Sequence, residues 1–291
     1  MSVRFLPARS IDRSRWDECV AHHHDLPYGL SWWLDAVTAG RWSGLILDDY
    51  RLVLPLPTGR SVFWLRWVAR APFTQQCGPF GEYHPGDLQR LLEHLPARIR
   101  GLDLPLRHGV PAEEVPPAFR TAERTNLVLD LSPTPDTIRA GYGKTLRKKL
   151  RRYPNVFLQP SDADAVVRVY RRSSGEKAGL RPHHFRRMRT LIEAALERHH
   201  GNLWQVVDPT DGTLLAAGFF PEYKGRIINL FAGSTPEGYA REGMARLLDA
   251  IVSRYAGTDT LLDFEGSDLP GVGNFFRAFG PANRPYLRIR R

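Results

Sequence analysis

Cysteine is scarce in this chain of 291 residues, which contains only Cys19 and Cys77. Two cysteines are too few for the disulfide framework of a small secreted domain, so we expect both to be buried free thiols. No apolar run approaches the length that crosses a membrane, and the first residues lack the apolar centre of a signal peptide. The sequence therefore predicts a cytoplasmic protein without a membrane span.

Motifs for metal binding and nucleophilic catalysis are also missing. Histidines adjoin one another at residues 22–24, 183–184 and 199–200, but no second group of ligands follows at the spacing of a metal site. No Ser/His/Asp or Cys/His arrangement stands out. We therefore expect no metal ion, and we interpret these histidines as surface or helix-end residues.

Lysine supplies only five of the 41 basic residues, although the formal net charge is +10. The excess positive charge lies in residues 139–198, which contain sixteen Lys and Arg against five Asp and Glu. Such a segment favours a partner that bears phosphate: a nucleotide cofactor, a nucleic acid or an anionic membrane surface. The alternative is a solvated helix face in a chain of arginine-rich composition. The residues that we assign to an anion patch are Lys144, Arg147, Lys148 and Arg151.

The chain is long enough, and at 42% hydrophobic content apolar enough, for one large or two medium domains. Three strands, a helix and a further strand are predicted at residues 44–47, 51–56, 62–68, 87–99 and 102–106, and again at 203–207, 214–220, 227–232, 241–255 and 260–264. This shared order predicts an α/β fold built from two copies of one unit. The predicted domains are residues 1–123 and 124–291, and the second contains a basic helical segment at 136–199.

The most informative stretch is residues 225–246, which predicts a strand, an open loop and a helix. Residues 227–232 form a nearly continuous apolar run, typical of a strand buried on both faces. Small and turn-forming residues follow, and apolar residues from Met244 to Tyr255 then recur at the spacing of one buried helix face. Backbone N–H groups at such a helix N-terminus hold pyrophosphate. An ordinary strand–loop–helix corner is the alternative.

Several segments together carry a family resemblance: residues 126–131 (NLVLDL), 142–152 (YGKTLRKKLRR), 212–220, 227–233, 241–255, 261–267 (LLDFEGS) and 274–280 (NFFRAFG). They resemble the GNAT-like acyltransferase superfamily, and more closely its double-domain branch, the FemABX-type aminoacyltransferases and related bacterial acetyltransferase-like proteins. The resemblance covers most of residues 124–291 and, through the repeat, the first half. It implies a mixed α/β fold of two tandem GNAT-like domains.

The resemblance also implies where an acyl donor binds. In acetyl-CoA enzymes of this superfamily, a Gln/Arg-x-x-Gly-x-Gly/Ala loop opens the helix and binds pyrophosphate. Here Gly243 and Ala245 match this loop, Ala240 stands where Gln or Arg is expected, and Arg241 is the nearest substitute ligand. The implied acyl-CoA is a co-substrate and not a tightly bound cofactor. The residues expected to contact it are Gly233, Ser234, Arg241, Gly243 and Ala245.

Acyl transfer to an amine needs a base that takes the ammonium proton and donors that stabilise the oxyanion. Glu265, at the end of a predicted strand, is the first candidate for the base, and Asp263 is the second. Either carboxylate could instead cap the loop that follows the strand. Amides near Gly233 and Ser234 are expected to bind the donor carbonyl. Tyr239 is expected to act as an acid toward the leaving group.

The function implied by the resemblance is transfer of an acyl group from acyl-CoA to an amine of a small molecule or peptide. Two alternatives remain open. A FemABX-like transferase would take its donor from aminoacyl-tRNA, with the basic helices as the tRNA contact. A non-catalytic protein of the same fold would bind nucleic acid or another anionic partner through those helices.

Overall fold

A computed structural model gives the structure of the protein, and it describes residues 2–153, 155–175, 179–266 and 270–291. Within these ranges no helix is both long and apolar enough to span a membrane. Cys19 and Cys77 are buried free thiols, as expected. The segment at 261–267 ends at Ser267, which lies outside the described residues.

The chain forms two units, each with helices and a mixed sheet of eight strands. The first unit contains the chain up to Arg124 together with residues 285–291. The second unit contains residues 125–284.

In the first unit, strands and α3 enclose an apolar core. β2 is buried at every position, and its Leu45 and Leu47 lie in one cluster with Leu88 and Leu91 of α3. The described strands and helices up to Arg124 are β1 (Val3–Pro7), α1 (Arg13–His23), α2 (Ser31–Thr38), β2 (Trp42–Leu47), β3 (Leu52–Val62), β4 (Leu65–Val68), β5 (Phe80–Gly81), α3 (Asp87–Glu93), β6 (Ile99–Pro105) and β7 (Arg120–Arg124).

The second unit contains residues 225–246, for which the sequence predicts a strand, an open loop and a helix. Its described elements are β8 (Leu127–Asp130), α4 (Pro135–Ala140), α5 (Lys144–Arg152), β9 (Phe157–Pro160), α6 (Ala163–Tyr170), α7 (Pro182–Leu196), β10 (Gly201–Val207), β11 (Leu214–Tyr223), β12 (Arg226–Ile228), β13 (Phe231–Ser234), α8 (Pro236–Ala240), α9 (Gly243–Tyr255), β14 (Leu261–Asp263), α10 (Pro270–Arg277) and β15 (Ala282–Asn283). The sheet order is β15, β8, β14, β12, β11, β10, β9, and β13 pairs with β11.

Helix α9 packs into the core of the second unit through one apolar face. Leu247, Leu248, Ile251 and Val252 are all fully buried, at the spacing of one helix face. They pack in one cluster with apolar residues of β10, β11 and β14. The helix face predicted from the sequence is therefore confirmed, and it fixes the position of the α9 N-terminus.

The chain ends in β16 (Tyr286–Arg290), which belongs to the first unit. This strand lies between β6 and β7 and is antiparallel to both, and its Ile289 is fully buried in the first core. The sequence predicts that every residue after 123 belongs to the second domain. The structure instead assigns residues 285–291 to the first unit, because strand pairing and burial of Ile289 hold them there.

The basic helical segment begins with a helix that is broken in two. Ile138, Tyr142 and Leu146 are buried, as their four-residue spacing predicts. Between α4 and α5, however, the backbone N–H of Gly143 donates to the carbonyl oxygen of Ala278 at 2.8 Å. Because that amide bonds outside the helix, α4 ends and α5 begins as a separate element.

Candidate active site

A cleft opens in the second unit where the chain leaves β14 and continues as β13. β12 is parallel to β14, and the last pair in their register is Ile228 with Asp263. The next amide, of Asn229, donates to the carbonyl oxygen of Asp263 at 2.8 Å. Beyond it the chain continues as β13, which among the described strands pairs with β11 only. The edge of β13 that faces away from β11 therefore presents backbone groups to the cleft.

The cleft has a volume of about 510 Å³ and a largely apolar wall. Phe264 and Phe276 stack in it with ring centroids 5.2 Å apart. Glu265 is its one carboxylate among the described residues. The lining residues are Tyr170, Ser173, Ser174, Asn229, Leu230, Ala232, Gly233, Ser234, Tyr239, Met244, Phe264, Glu265, Gly266, Val272 and Phe276.

Glu265 follows β14 in a backbone conformation that few non-glycine residues adopt. Its φ is +57°, in the left-handed region that costs an L-residue about 1–2 kcal/mol. Two hydrogen bonds hold it there: its N–H donates to Asp263 Oδ1 at 2.7 Å, and its carbonyl oxygen accepts from Leu127 N at 2.7 Å. The side chain is half-buried and lines the cleft. These hydrogen bonds thus hold a strained residue in place, with its carboxylate at the cleft wall.

Asp263 lies beneath the cleft and does not line it. The residue is fully buried, and its Oδ2 forms an ion pair with Arg226 Nη1 at 2.6 Å. Burial raises the pKa of the carboxyl, while Arg226, the Glu265 amide and Asn126 act against that shift. The structure therefore gives this carboxylate the contacts of a group that positions Glu265.

Four polar residues of the cleft were not among the predicted site residues: Tyr170, Ser173, Ser174 and Asn229. Burial raises the pKa of Tyr170, and the nearby Glu265 carboxylate raises it further, so the phenol stays protonated. Asn229 is only 8% exposed, and its Oδ1 accepts no hydrogen bond from any described residue. Tyr170 carries no sequence motif, whereas Asn229 is the one polar residue in the apolar run of residues 227–232.

The N-terminus of α9 borders the same cleft through Met244. Amides in the first turn of a helix have no acceptor inside the helix, so those from Gly243 to Ala245 suit an anion. Gly243 itself is packed from behind: a Cβ there would lie 2.6 Å from the carbonyl oxygen of Leu215. Ala245 is buried in the core. Glycine is required at residue 243 for close packing of the helix on β11.

The charged side chains around this helix N-terminus form ion pairs with one another. Arg241 Nη1 lies 2.9 Å from Asp211 Oδ2 and 3.3 Å from Asp208 Oδ2. Glu242 lies 3.0 Å from Lys149 Nζ. Arg241 is therefore held by two carboxylates and does not line the cleft, whereas Gly233, Ser234, Tyr239 and Glu265 come together in it.

The predicted anion patch lies elsewhere on the second unit. Lys144, Arg147, Lys148 and Arg151 all belong to α5, and none lines the cleft. Lys144, Lys148 and Arg151 are exposed, and Arg147 is half-buried. Among the described residues, no group of three or more His, Cys, Asp or Glu side chains could hold a metal ion.

The fold and the site together define a class. A mixed sheet opens at a strand break, a helix N-terminus borders the opening, and a carboxylate follows the neighbouring parallel strand. The helix N-terminus and the carboxylate lie where the sequence led us to expect them in a GNAT-like domain, whereas the strand break was not predicted.

Comparison with known proteins agrees with this class. Residues 141–270 match the family model of the acetyltransferase (GNAT) domain. In a search of solved structures the chain is similar to FemX, with 11% identity, a TM-score of 0.65 and coverage of 99% of this chain and 97% of that one. It is also similar to L-PGS from Bacillus licheniformis, with 14% identity, a TM-score of 0.53 and coverage of 96% and 91%.

A third similar structure is the tandem GNAT protein from the clavulanic acid biosynthesis pathway, with 13% identity, a TM-score of 0.51 and coverage of 99% and 98%. No curated protein matches the sequence. Residues 141–270 thus match the acetyltransferase (GNAT) domain, and the fold of the chain is that of two tandem GNAT-like domains, similar to the folds of FemX and of the tandem GNAT protein. The predicted resemblance and fold class are confirmed.

Proposed function

We propose that the protein is an N-acyltransferase that transfers an acyl group from acyl-CoA to an amine of a small molecule or peptide. The observation that carries the proposal is the cleft itself, in which the open edge of β13, the N-terminus of α9 and the carboxylate of Glu265 meet. The matching GNAT family model supports acyl-CoA as the co-substrate.

The donor is proposed to lie along β13 with its phosphates toward α9. Backbone groups at the open edge of β13 suit the amides of the pantetheine arm, and N–H groups near Gly233 and Ser234 suit the acyl carbonyl. First-turn amides from Gly243 to Ala245 suit the pyrophosphate. The described cleft wall holds no Lys or Arg, so these amides and the hydroxyl groups of the cleft are the proposed phosphate donors.

The reaction requires a neutral amine and a stabilised oxyanion. The amine nitrogen attacks the thioester carbon, the C–N bond forms and the C–S bond breaks, and the proton lost from nitrogen goes to Glu265. Tyr170 stays protonated because its pKa is raised, so its O–H is proposed as a hydrogen-bond donor to a ligand in the cleft. Tyr239 is 59% exposed at the rim, where we propose that it supplies the proton taken up by the departing thiolate.

Asp263 has a positioning role in this proposal. Its Oδ1 accepts from the backbone of Glu265, and its Oδ2 is paired with Arg226. Because the group is fully buried below the cleft, it reaches substrate only through Glu265.

The proposal is tested by thiol release from acetyl-CoA in the presence of a panel of amines. Glu265→Gln keeps the side-chain shape but removes the base, so kcat should fall by about 10²- to 10⁴-fold. Glu237→Gln, which changes an exposed carboxylate on α8, should leave kcat unchanged. Equal kcat for Glu265→Gln and wild type would remove Glu265 from the mechanism. Absence of amine-dependent release from a folded wild type would contradict the acyl-CoA donor, and aminoacyl-tRNA would be tested next.

A further inference from the structure

The hairpin of β3 and β4, in the first unit, ends in two exposed aromatic side chains. Phe63 is 98% exposed and Trp64 is 68% exposed. The strands close with Val62 opposite Leu65, so Phe63 and Trp64 form the entire loop. Phe63 has a φ of +51°, a conformation that hairpin loops usually give to Asn or Gly. The sequence places two large aromatic residues where turn stability favours small ones, and this cost indicates a role outside the fold.

The tip of this hairpin extends past the strands on either side of it. β2 pairs with β3 only as far as Pro57, and residues 58–62 of β3 pair with β4 alone among the described strands. On the other side, β6 pairs with β4 from Arg66 to Val68 and leaves the turn uncovered. The two aromatic side chains can therefore insert into an apolar environment while the rest of the sheet stays in water.

The chain that forms the tip and its flanks is basic. Residues 52–81 contain no Asp or Glu, and Arg66 and Arg70 follow the aromatic pair. The adjacent chain adds Arg98 and Arg100, which are both exposed, and the Arg66 N–H donates to the Arg98 carbonyl oxygen at 2.8 Å. An anionic surface is therefore the complementary partner.

We propose that this hairpin binds the surface of anionic phospholipid membranes, with Phe63 and Trp64 in the interface and the neighbouring arginines against the headgroups. Aromatic rings favour the headgroup region of a bilayer. Anionic leaflets attract basic residues within about one Debye length. Two side chains are too small an area for a stable protein interface, which buries roughly 1,200–2,000 Å². Together with several arginines, they suffice for reversible attachment to a membrane.

The test is co-sedimentation of the full chain with vesicles of phosphatidylcholine alone or mixed with phosphatidylglycerol. The wild type should bind the mixed vesicles at least about tenfold more strongly, and added salt should weaken binding. Phe63→Asn with Trp64→Gly suits the turn and should lower binding about tenfold or more. Phe157→Asn removes an aromatic residue that is 61% exposed in the second unit, and it should bind like the wild type.

Charge is tested separately with Arg66→Gln and Arg70→Gln, which should lower binding to mixed vesicles and leave binding to phosphatidylcholine unchanged. Circular dichroism before sedimentation shows that each variant is folded. Equal binding by the tip variant and the wild type, or no binding by the wild type, would overturn the proposal. Self-association of the wild type that the tip variant abolishes, without vesicle binding, would also overturn it, because a second copy would then be the partner.

Discussion

The carboxylate of Asp263 holds the backbone of Glu265, since its Oδ1 accepts the Glu265 N–H at 2.7 Å. Its other oxygen lies 2.6 Å from Arg226 Nη1, and both side chains are buried. The only carboxylate on the described cleft wall is thus linked to a buried ion pair. Removal of either partner of the pair changes both the stability of the unit and the position of Glu265.

Asp263→Ala should lower the free energy of unfolding by about 3–5 kcal/mol, because it leaves Arg226 buried without its carboxylate. Guanidinium denaturation measures this loss. The double variant Asp263→Leu with Arg226→Met removes both charges and should be more stable than Asp263→Ala. Asp259→Ala, at an exposed carboxylate, should change stability by less than about 0.5 kcal/mol. A cost for Asp263→Ala as small as that for Asp259→Ala would contradict this account.

Gly243 should respond to substitution as a packing residue. In Gly243→Ala the added Cβ meets the carbonyl oxygen of Leu215 at 2.6 Å, so α9 must shift. We expect a loss of about 1–3 kcal/mol in the free energy of unfolding. Gly271→Ala is the matched control, because a Cβ there meets nothing within 4 Å. If both variants are as stable as the wild type, close contact between α9 and β11 does not require this glycine.

Asp208 should make the second unit sensitive to acid. Hydrogen bonds from Thr210, followed by Arg241 and Arg246, lower the pKa of Asp208 from 3.8 to about 2. A carboxyl with a lower pKa in the folded than in the unfolded state stabilises the fold above its unfolded pKa. That contribution is lost as pH falls from about 4 to about 2.

The measurement is urea denaturation of wild type and Asp208→Asn across this range of pH. The variant should be less stable near neutral pH, and the difference should shrink as pH approaches about 2. A difference that is constant with pH would contradict the assignment.

Asn229 should affect ligand binding more than stability. Its buried Oδ1 has no hydrogen-bond donor among the described residues and lies at the cleft wall. Replacing it in Asn229→Leu removes an unsatisfied carbonyl, so the melting temperature should stay the same or rise. Affinity for the acyl donor or the amine should fall by about tenfold, the value of one lost hydrogen bond. A fall in stability with unchanged affinity would assign Asn229 a purely structural role.

Regular periodicity made much of the fold predictable. The buried face of α9 from Leu247 to Val252 and the two tandem α/β units follow from apolar spacing and repeated element order. The break between β12 and β13 was missed, because the apolar run of residues 227–232 suits one continuous strand. The break occurs because the chain leaves the parallel strand β14 after β12 and pairs, among the described strands, with β11 alone as β13. Hydrophobic periodicity within one segment does not predict which strands pair.

The site was predictable only where its residues lie at the ends of predicted strands or in the loop that follows one. Glu265 follows β14 and Gly233 lies near the end of β13, and the structure brings both to one cleft. Tyr170 reaches the cleft from the end of α6, 95 residues before Glu265, and no spacing in the sequence links the two. The sequence also did not predict the ion pairs of Arg241 with Asp208 and Asp211, since they join residues that are distant in sequence.

If the cleft beside β13 binds the acyl donor, calorimetric titration should detect coenzyme A in it. Wild type should bind with a Kd of roughly 1 μM, about −8 kcal/mol. Val272→Trp fills the exposed side of the cleft and should weaken binding at least about tenfold, whereas Leu196→Trp, at an exposed leucine on α7, should not. Equal affinity in the wild type and Val272→Trp, or no binding by folded wild type, would contradict the account.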